Sequence, residues 1–362
     1  MARMVIRPDV EALPGYHFTA HDHPVKLDQN ESAWDLPEPL RSEALSRLAR
    51  APLHRYPQLY AERVRAAIAA REDWPEFGVV VAGGSNVLIQ ATVIAAGLGR
   101  RVLCVTPSFS VYGIQARLMA ADLRQVPLGE GFALPRAALL EELAEGEGVH
   151  FLAAPMAPTG NPVAVEDVTA LAQAGAGRWL TVVDEAYGAF AGSDFRAAAR
   201  EVPGTLSLRT LSKAYGLAGV RLGYALTAPA LAQQLQKVVL PFSVSALQAS
   251  LVETVLEAPA FVDERIALVR SERERLHAAL RSRAGVEVFP SVTNFLLLRV
   301  ADAEATYRGL SDQGVLVRRQ DHLPGLAGCL RVSVGRPEEN DAFMAALDAC
   351  SLAPEGVRHA NA

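Results

Sequence analysis

The chain has 362 residues, half of them hydrophobic and 21% charged, which predicts a soluble globular protein of two domains. Its 35 Lys and Arg against 40 Asp and Glu give a net charge of −5 with no basic block, which argues against nucleic acid as the main partner. No apolar run reaches the roughly 18 residues of a membrane span. The opening MARMVIRPDVEALPG lacks the apolar core of a signal peptide, and Cys104, Cys329 and Cys350 read as free thiols of a cytoplasmic protein.

Residues 1–30 read as irregular, broken by Pro8, Pro14, Gly15 and Pro24. His21 and His23 would share a face of an extended segment, but no further His or Cys completes a ligand set, so no metal is expected. Residues 37–50 and 60–70 carry helical spacing, with HRYPQLY between them. Residues 79–84 read as a strand entering a glycine turn, and 87–96 as a helix. The joint, Gly83 to Asn86, offers glycines for close approach, a Ser or Asn N-cap and the free N–H groups of a helix start. Such a terminus binds anions through its donors and its dipole. It is neither a GxGxxG nor a Walker A motif, so no nucleotide is implied. Residues 101–105 form the next expected strand, and TPSFSVY follows. Phe109 and Tyr112 thus lie just past a strand end, where open α/β sheets place ligands.

Residues 149–154 read as a buried strand leading to PMAPTGNP, and 179–183 as another ending in DEAYGAF. Asp184 then stands at a strand's carboxyl end, with the phenol of Tyr187 three residues on. The β-like run 205–210 leads to a lone lysine, Lys213, among small, polar and glycine residues. A lysine is costly to bury as a cation, so its pKa falls there and the amine becomes a nucleophile for a carbonyl, the chemistry of Schiff bases. Thr210, Ser212 and Arg221 are donors suited to a phosphate. Residues 222–226 return to β character, and 230–240 and 245–256 look helical. A long helix over 259–283 has Arg and Glu at spacings of three and four, a solvated face laced with ion pairs. Strands are expected at 286–289, 294–300, 315–318 and 330–334, with two helical stretches, the last at 338–350. The change from β/α alternation to an α+β pattern places a domain boundary near residue 260, and residues beyond about 353 are expected to be disordered.

TLSKAYGLAGVRLGY resembles the lysine signature of the fold-type-I pyridoxal-phosphate-dependent aminotransferases, and within them the branch that contains histidinol-phosphate aminotransferase. LDQNES, the YP pair, TPSFSVY, DEAY and GCLRVSVG follow that family's order, over about residues 13–341. The resemblance implies an α/β fold: a large domain (31–260) with a mostly parallel mixed sheet flanked by helices, and a small α+β domain (261–362) to which an N-terminal arm (1–30) contributes. It implies pyridoxal 5′-phosphate held by Lys213, with Asp184 against the pyridine nitrogen. An aspartate there keeps that nitrogen protonated and makes the ring an electron sink. Tyr187 is the implied donor to the ring's phenolic oxygen, and it joins Lys213 and Asp184 as the catalytic set. Gly84, Ser85, Asn86, Thr210, Ser212 and Arg221 would surround the cofactor phosphate, and Tyr112 would stack on the ring. Tyr56 would reach the partner's cofactor phosphate across a homodimer interface.

Tyr16, Asn30 and Arg331 match substrate-contacting positions of the family, and Arg318 is the candidate second contact. A guanidinium suits carboxylate and phosphate alike, so the arginines alone do not choose a substrate. The chain departs from the family at PMAPTGNP, where NPNNPTG is usual: Ala157 stands where an asparagine donor would reach the cofactor. It departs again at Gly84-Ser85-Asn86-Val87, where the usual pattern is closer to GSDE; the backbone role survives that change. The activity implied is interconversion of L-histidinol phosphate and 2-oxoglutarate with imidazole-acetol phosphate and L-glutamate, without a membrane or nucleic-acid partner. Three other readings stay open: an aminotransferase for aromatic or other amino acids, a decarboxylase of the same fold such as one acting on threonine phosphate, and a binding protein that keeps the cofactor without catalysis.

Overall fold

Thirteen strands in the computed structural model, which describes residues 5–13 and 23–350, sort into three sheets. In chain order they are β1 (Val25–Lys26), β2 (Val79–Ala82), β3 (Arg101–Thr106), β4 (Asp122–Pro127), β5 (Gly148–Ala153), β6 (Trp179–Asp184) and β7 (Thr205–Thr210). After them come β8 (Gly223–Thr227), β9 (Glu287–Val288), β10 (Phe295–Arg299), β11 (Val315–Leu316), β12 (Arg318–Arg319) and β13 (Cys329–Ser333). The central sheet has the order β2-β8-β7-β6-β5-β3-β4. Its members pair in parallel except β8, which runs antiparallel to both neighbours. Every residue of β5 and β6 is buried, because helices cover both faces and the strands read as near-continuous apolar runs.

The two faces have separate cores. Tyr112, Phe151 and Val182 lie on the face covered by the helices Ser85–Thr92 and Ser110–Leu118. Leu103, Leu152 and Val183 pack on the other face with the helices Arg136–Ala144 and Val165–Gly175. The parallel strands β3, β5, β6 and β7 end together at Thr106, Ala153, Asp184 and Thr210, so one edge of the sheet collects the loops that follow them.

The second sheet is antiparallel, in the order β12-β13-β10-β9, and packs around Leu296, Leu298, Leu330 and Phe343. β1 pairs in parallel with β11, Val25 opposite Val315, which joins the start of the chain to its last third. Residues 1–30 are therefore not all irregular: Pro8–Glu11 forms one helical turn and Val25–Lys26 a strand. The strand expected over 315–318 is two short ones in different sheets, because the chain changes partner at Val317. β4 escapes a pattern search because it is a polar edge strand, DLRQVP, with one buried residue and a terminal proline. Among the described residues no helix is long and apolar enough to cross a membrane, and no group of three or more His, Cys, Asp or Glu could hold a metal. Tyr16, His21 and the tail beyond residue 353 lie outside the described residues.

Candidate active site

The loops at the carboxyl edge of the central sheet bring four chemical groups together. The first is an amine. Lys213 follows β7 in a tight turn closed by Gly216 N–H on the Lys213 carbonyl, and its Nζ donates to the Gln29 carbonyl at 2.9 Å. Burial pushes its pKa down, and Arg331 and Arg221 push the same way, while Tyr187 and Glu31 oppose them. The neutral, nucleophilic form is thereby favoured.

The second is a carboxylate. Asp184 ends β6 on the same face as Val182 and is buried. Its Oδ2 accepts from the Tyr112 phenol at 2.6 Å and its Oδ1 from the Ala186 N–H at 3.1 Å. Burial raises its pKa, and these two hydrogen bonds work against that rise. No lysine, arginine or histidine pairs with it among the described residues, so its negative charge faces only neutral donors.

The third is an anion cradle. β2 ends at Ala82, and Gly84, at φ 105°, caps the helix Ser85–Thr92. The cap is therefore Gly84 and not Ser85 or Asn86, which instead lend their backbone N–H groups to the open first turn. A Cβ on Gly84 would lie 2.9 Å from Arg221 Nη2, so the guanidinium sits against that turn. A Cβ on Gly223 would meet Ser85 N at 2.3 Å, so β8 also presses on it and only glycine fits there. Thr210 and Ser212 are buried beside this start, the Thr210 hydroxyl accepting from Ser212 N–H at 3.1 Å.

The fourth is a pair of arginines. Arg318 on β12 stands directly opposite Arg331 on β13, so the two guanidinium stems share one face of the small sheet. Arg331 donates to the Asp28 carbonyl at 2.8 Å and lies 5.4 Å over the Phe295 ring. Phe295 in turn packs edge-on against Tyr187 at 5.1 Å, and Lys213 Nζ lies 5.9 Å over the Tyr187 ring. Those contacts tie the small sheet to the lysine turn.

Two of the expected contact residues are engaged within the protein. Asn30 is fully buried and bonded within the protein at its N–H, its carbonyl and both ends of its amide. Its N–H and side-chain oxygen bond Ser333, its carbonyl takes Asn294, and its amide donates to Tyr187 OH at 2.9 Å. It holds Tyr187 in place with one of its two amide N–H groups. Tyr112 is 1% exposed, with its ring stacked at 4.6 Å and 4° on Phe151, so it presents no face to a ligand. Phe109, 37% exposed and edge-on to Tyr112 at 5.6 Å, is the aromatic of that motif left open.

Tyr56 is 83% exposed, packs on Phe242 at 4.9 Å and bonds no site residue. Ala157 is buried with no donor to offer, and Asn161 does not replace it, because its amide donates to the Phe132 carbonyl at 3.0 Å. Sequence reasoning missed the Gln29 and Asp28 carbonyls, since backbone contacts carry no residue signature. It also missed the ion cluster of Arg209 with Glu185 and Glu72, whose members lie far apart in the chain.

An aldehyde-bearing phosphate cofactor with a basic ring nitrogen needs this donor set: an amine with a lowered pKa, a buried carboxylate without a cation, and a helix start with hydroxyl and guanidinium donors. Pyridoxal phosphate meets that description, and the residues present fit it apart from Ala157.

The chain belongs to the class I and II aminotransferases, whose family model matches residues 22–347. Among curated relatives it is 47% identical to the histidinol-phosphate aminotransferase of Deinococcus radiodurans over 94% of this chain and 95% of that one. It is 36% identical to that of Thermococcus kodakarensis, over 95% and 98%. Its fold matches a histidinol-phosphate aminotransferase from Sinorhizobium meliloti, solved with pyridoxal-5′-phosphate, at TM-score 0.87, 23% identity and 96% and 98% coverage. An L-threonine-O-3-phosphate decarboxylase from Porphyromonas gingivalis matches at TM-score 0.77 and 22% identity, over 90% and 98%, so the fold itself spans both reactions.

Proposed function

We propose that the protein is a pyridoxal-phosphate-dependent transaminase that exchanges amino groups between L-histidinol phosphate and 2-oxoglutarate. The observation that carries this reading is the in-register pair Arg318 and Arg331 on the small sheet, linked through Phe295 and Tyr187 to the buried amine of Lys213. Two guanidinium groups suit a dianionic phosphate monoester, and a carboxylate of the second substrate can use the same fork. The high identity to relatives named for histidinol phosphate supports the choice over aromatic amino acids.

When bound, the cofactor supplies an aldehyde for the amines and a ring that accepts an electron pair. The chain's residues do the rest. Ser85 and Asn86 N–H, Thr210, Ser212 and Arg221 hold the phosphate. Asp184 accepts the ring N–H and keeps that proton in place. Tyr187, whose oxygen already accepts from Asn30, has its own proton free to donate to the ring oxygen. Phe109 covers the ring. Lys213 Nζ would take the proton from the substrate Cα and return it to the carbon that was the cofactor's aldehyde, as general base and then acid. Arg331 and Arg318 fix the anionic end of the substrate.

A homodimer is part of the proposal. Tyr56 packs on Phe242, whose N–H bonds the Leu59 carbonyl, and all three side chains are exposed, as are Leu53 and Leu240; a second copy would cover Tyr56 and bring it to the neighbouring cofactor phosphate. Sedimentation should give twice the mass of one chain. The large unit over 31–260 and the small one over 261–362 with the arm remain the proposed domains, in the cytoplasm.

The test is a half-reaction. Loaded protein given L-histidinol phosphate should lose its visible band and gain the aminated-cofactor band, and 2-oxoglutarate should reverse the change. A response to phenylalanine and tyrosine but not to histidinol phosphate would overturn the substrate. Release of CO2 would replace transamination with decarboxylation.

A further inference from the structure

We propose that Tyr112 is a positioning residue for Asp184: its buried phenol orients the carboxylate and holds it as an anion toward a heterocyclic N–H donor. The inference rests on the reading of Asp184 given above. Asp184 has one donor on each oxygen, the Tyr112 hydroxyl and the Ala186 N–H. Both are neutral, so they stabilise the negative charge without cancelling it. An arginine in that place would consume the charge that a protonated ring nitrogen has to meet.

The phenol cannot drift away. Its ring lies parallel to Phe151 of β5 at 4.6 Å, is edge-on to Phe109 at 5.6 Å, and is 1% exposed. Burial and the Asp184 charge push its own pKa well up, so it remains a donor. The other titratable groups around the pair are Cys104 from β3, whose thiol burial pushes up to about 11, and Tyr187 from the loop after β6. The Cys104 thiol therefore brings no charge near neutrality. Through Tyr112, the first turn of the helix Ser110–Leu118 sets both the aromatic beside the site and the carboxylate at the strand end.

The experiment measures pyridoxal phosphate affinity against pH for the full chain stripped of cofactor and titrated back, read by absorbance. Tyr112→Phe removes one oxygen and keeps the stack. It should weaken binding about tenfold at neutral pH and move the acid limb of the binding profile up by about one pH unit, because a carboxylate that loses a donor takes up its proton more readily. The melting temperature of the stripped protein should stay near that of wild type. Phe151→Leu, which loosens the stack but keeps the phenol, should lower the melting temperature and leave the acid limb in place. An unmoved acid limb and affinity in Tyr112→Phe, with Asp184→Asn still weakening binding, would overturn the Tyr112 assignment alone. An equal shift in Phe151→Leu would also overturn it, since loose packing would then explain both. Wild-type binding by Asp184→Asn would overturn the reading of Asp184 and this inference with it.

Discussion

The two faces of the central sheet treat adjacent acids in opposite ways. Asp184 turns to the face of Tyr112 and Phe151, where it meets neutral donors and no cation. Glu185, the next residue, turns to the other face and meets Arg209 at 2.8 Å and the Ser207 hydroxyl. Arg209 also bonds Glu72 at 2.9 Å, and Glu72 takes the Tyr224 phenol at 2.6 Å. Burial raises the pKa of both acids, but on the back face Arg209 and Ser207 oppose the rise for Glu185. Burial also works against the Arg209 charge; Glu185, Tyr224, Glu72 and Asp194 outweigh it, so its pKa rises. The back face spends its charge inside the protein, and the front face keeps a charge available to a ligand.

That contrast is open to four tests. The largest effect is expected at the lysine turn: Lys213→Ala should lower transamination by about four orders of magnitude, the upper range for a general base that is also the nucleophile. The stripped protein should melt no lower than wild type, because a partly buried lysine with a depressed pKa contributes little to the fold. A large drop in melting temperature would assign Lys213 a structural role as well.

Next comes Arg209→Met, which leaves Glu185 without its cation and Glu72 with Arg196 alone. Urea denaturation should show a loss of about 3–5 kcal/mol, the usual cost of breaking a buried pair. Asp184→Asn should cost far less in the same assay, having no ion pair to break. Equal losses would erase the distinction between the faces.

The third test uses His150, on the back face in register with Thr181, which is itself in register with Thr205. Both imidazole nitrogens and both threonine hydroxyls are buried without a hydrogen-bond partner, and burial pushes His150 down to about 4. The unfolded chain binds this proton below about 6.5 and the folded one only below about 4, so stability falls as pH drops through that window. His150→Leu should remove that dependence and gain up to about 3 kcal/mol over wild type at pH 4, by denaturation at matched pH. A constant difference across the window would mean that His150 is not buried neutral.

The smallest effect belongs to the front edge. Ala157→Asn restores the amide donor usual at this position in the family the sequence resembles and should lower the pH midpoint of the visible-absorbance titration of the loaded protein. An unchanged midpoint would show that position 157 does not reach the cofactor.

Much of this was legible in the residues. The strands of the large sheet stand out because they are buried on both sides and read as unbroken apolar runs, as β5 and β6 do. Asp184 and the Gly84 turn stand out because they close or follow such runs, and Lys213 because it is a lone lysine among small, polar and glycine residues. β4 did not, because a polar edge strand has no buried face to write a pattern. Tyr112 and Phe109 show the limit most clearly. Three residues apart, both aromatic, they differ only in which one the Phe151 ring covers, and Phe151 comes from a strand some forty residues on.

By itself the sequence determined the inner strands of the sheet, the lysine turn, the acid at the strand end and the helix start that can hold a phosphate. Those are local: hydrophobic period, glycine and chain order specify them. Only the tertiary structure decided that Asn30 serves Tyr187, that Tyr112 serves Asp184, and that Glu185 belongs to Arg209. Each of those pairings joins distant parts of the chain, and a side chain's partner is set by the packing of whole elements.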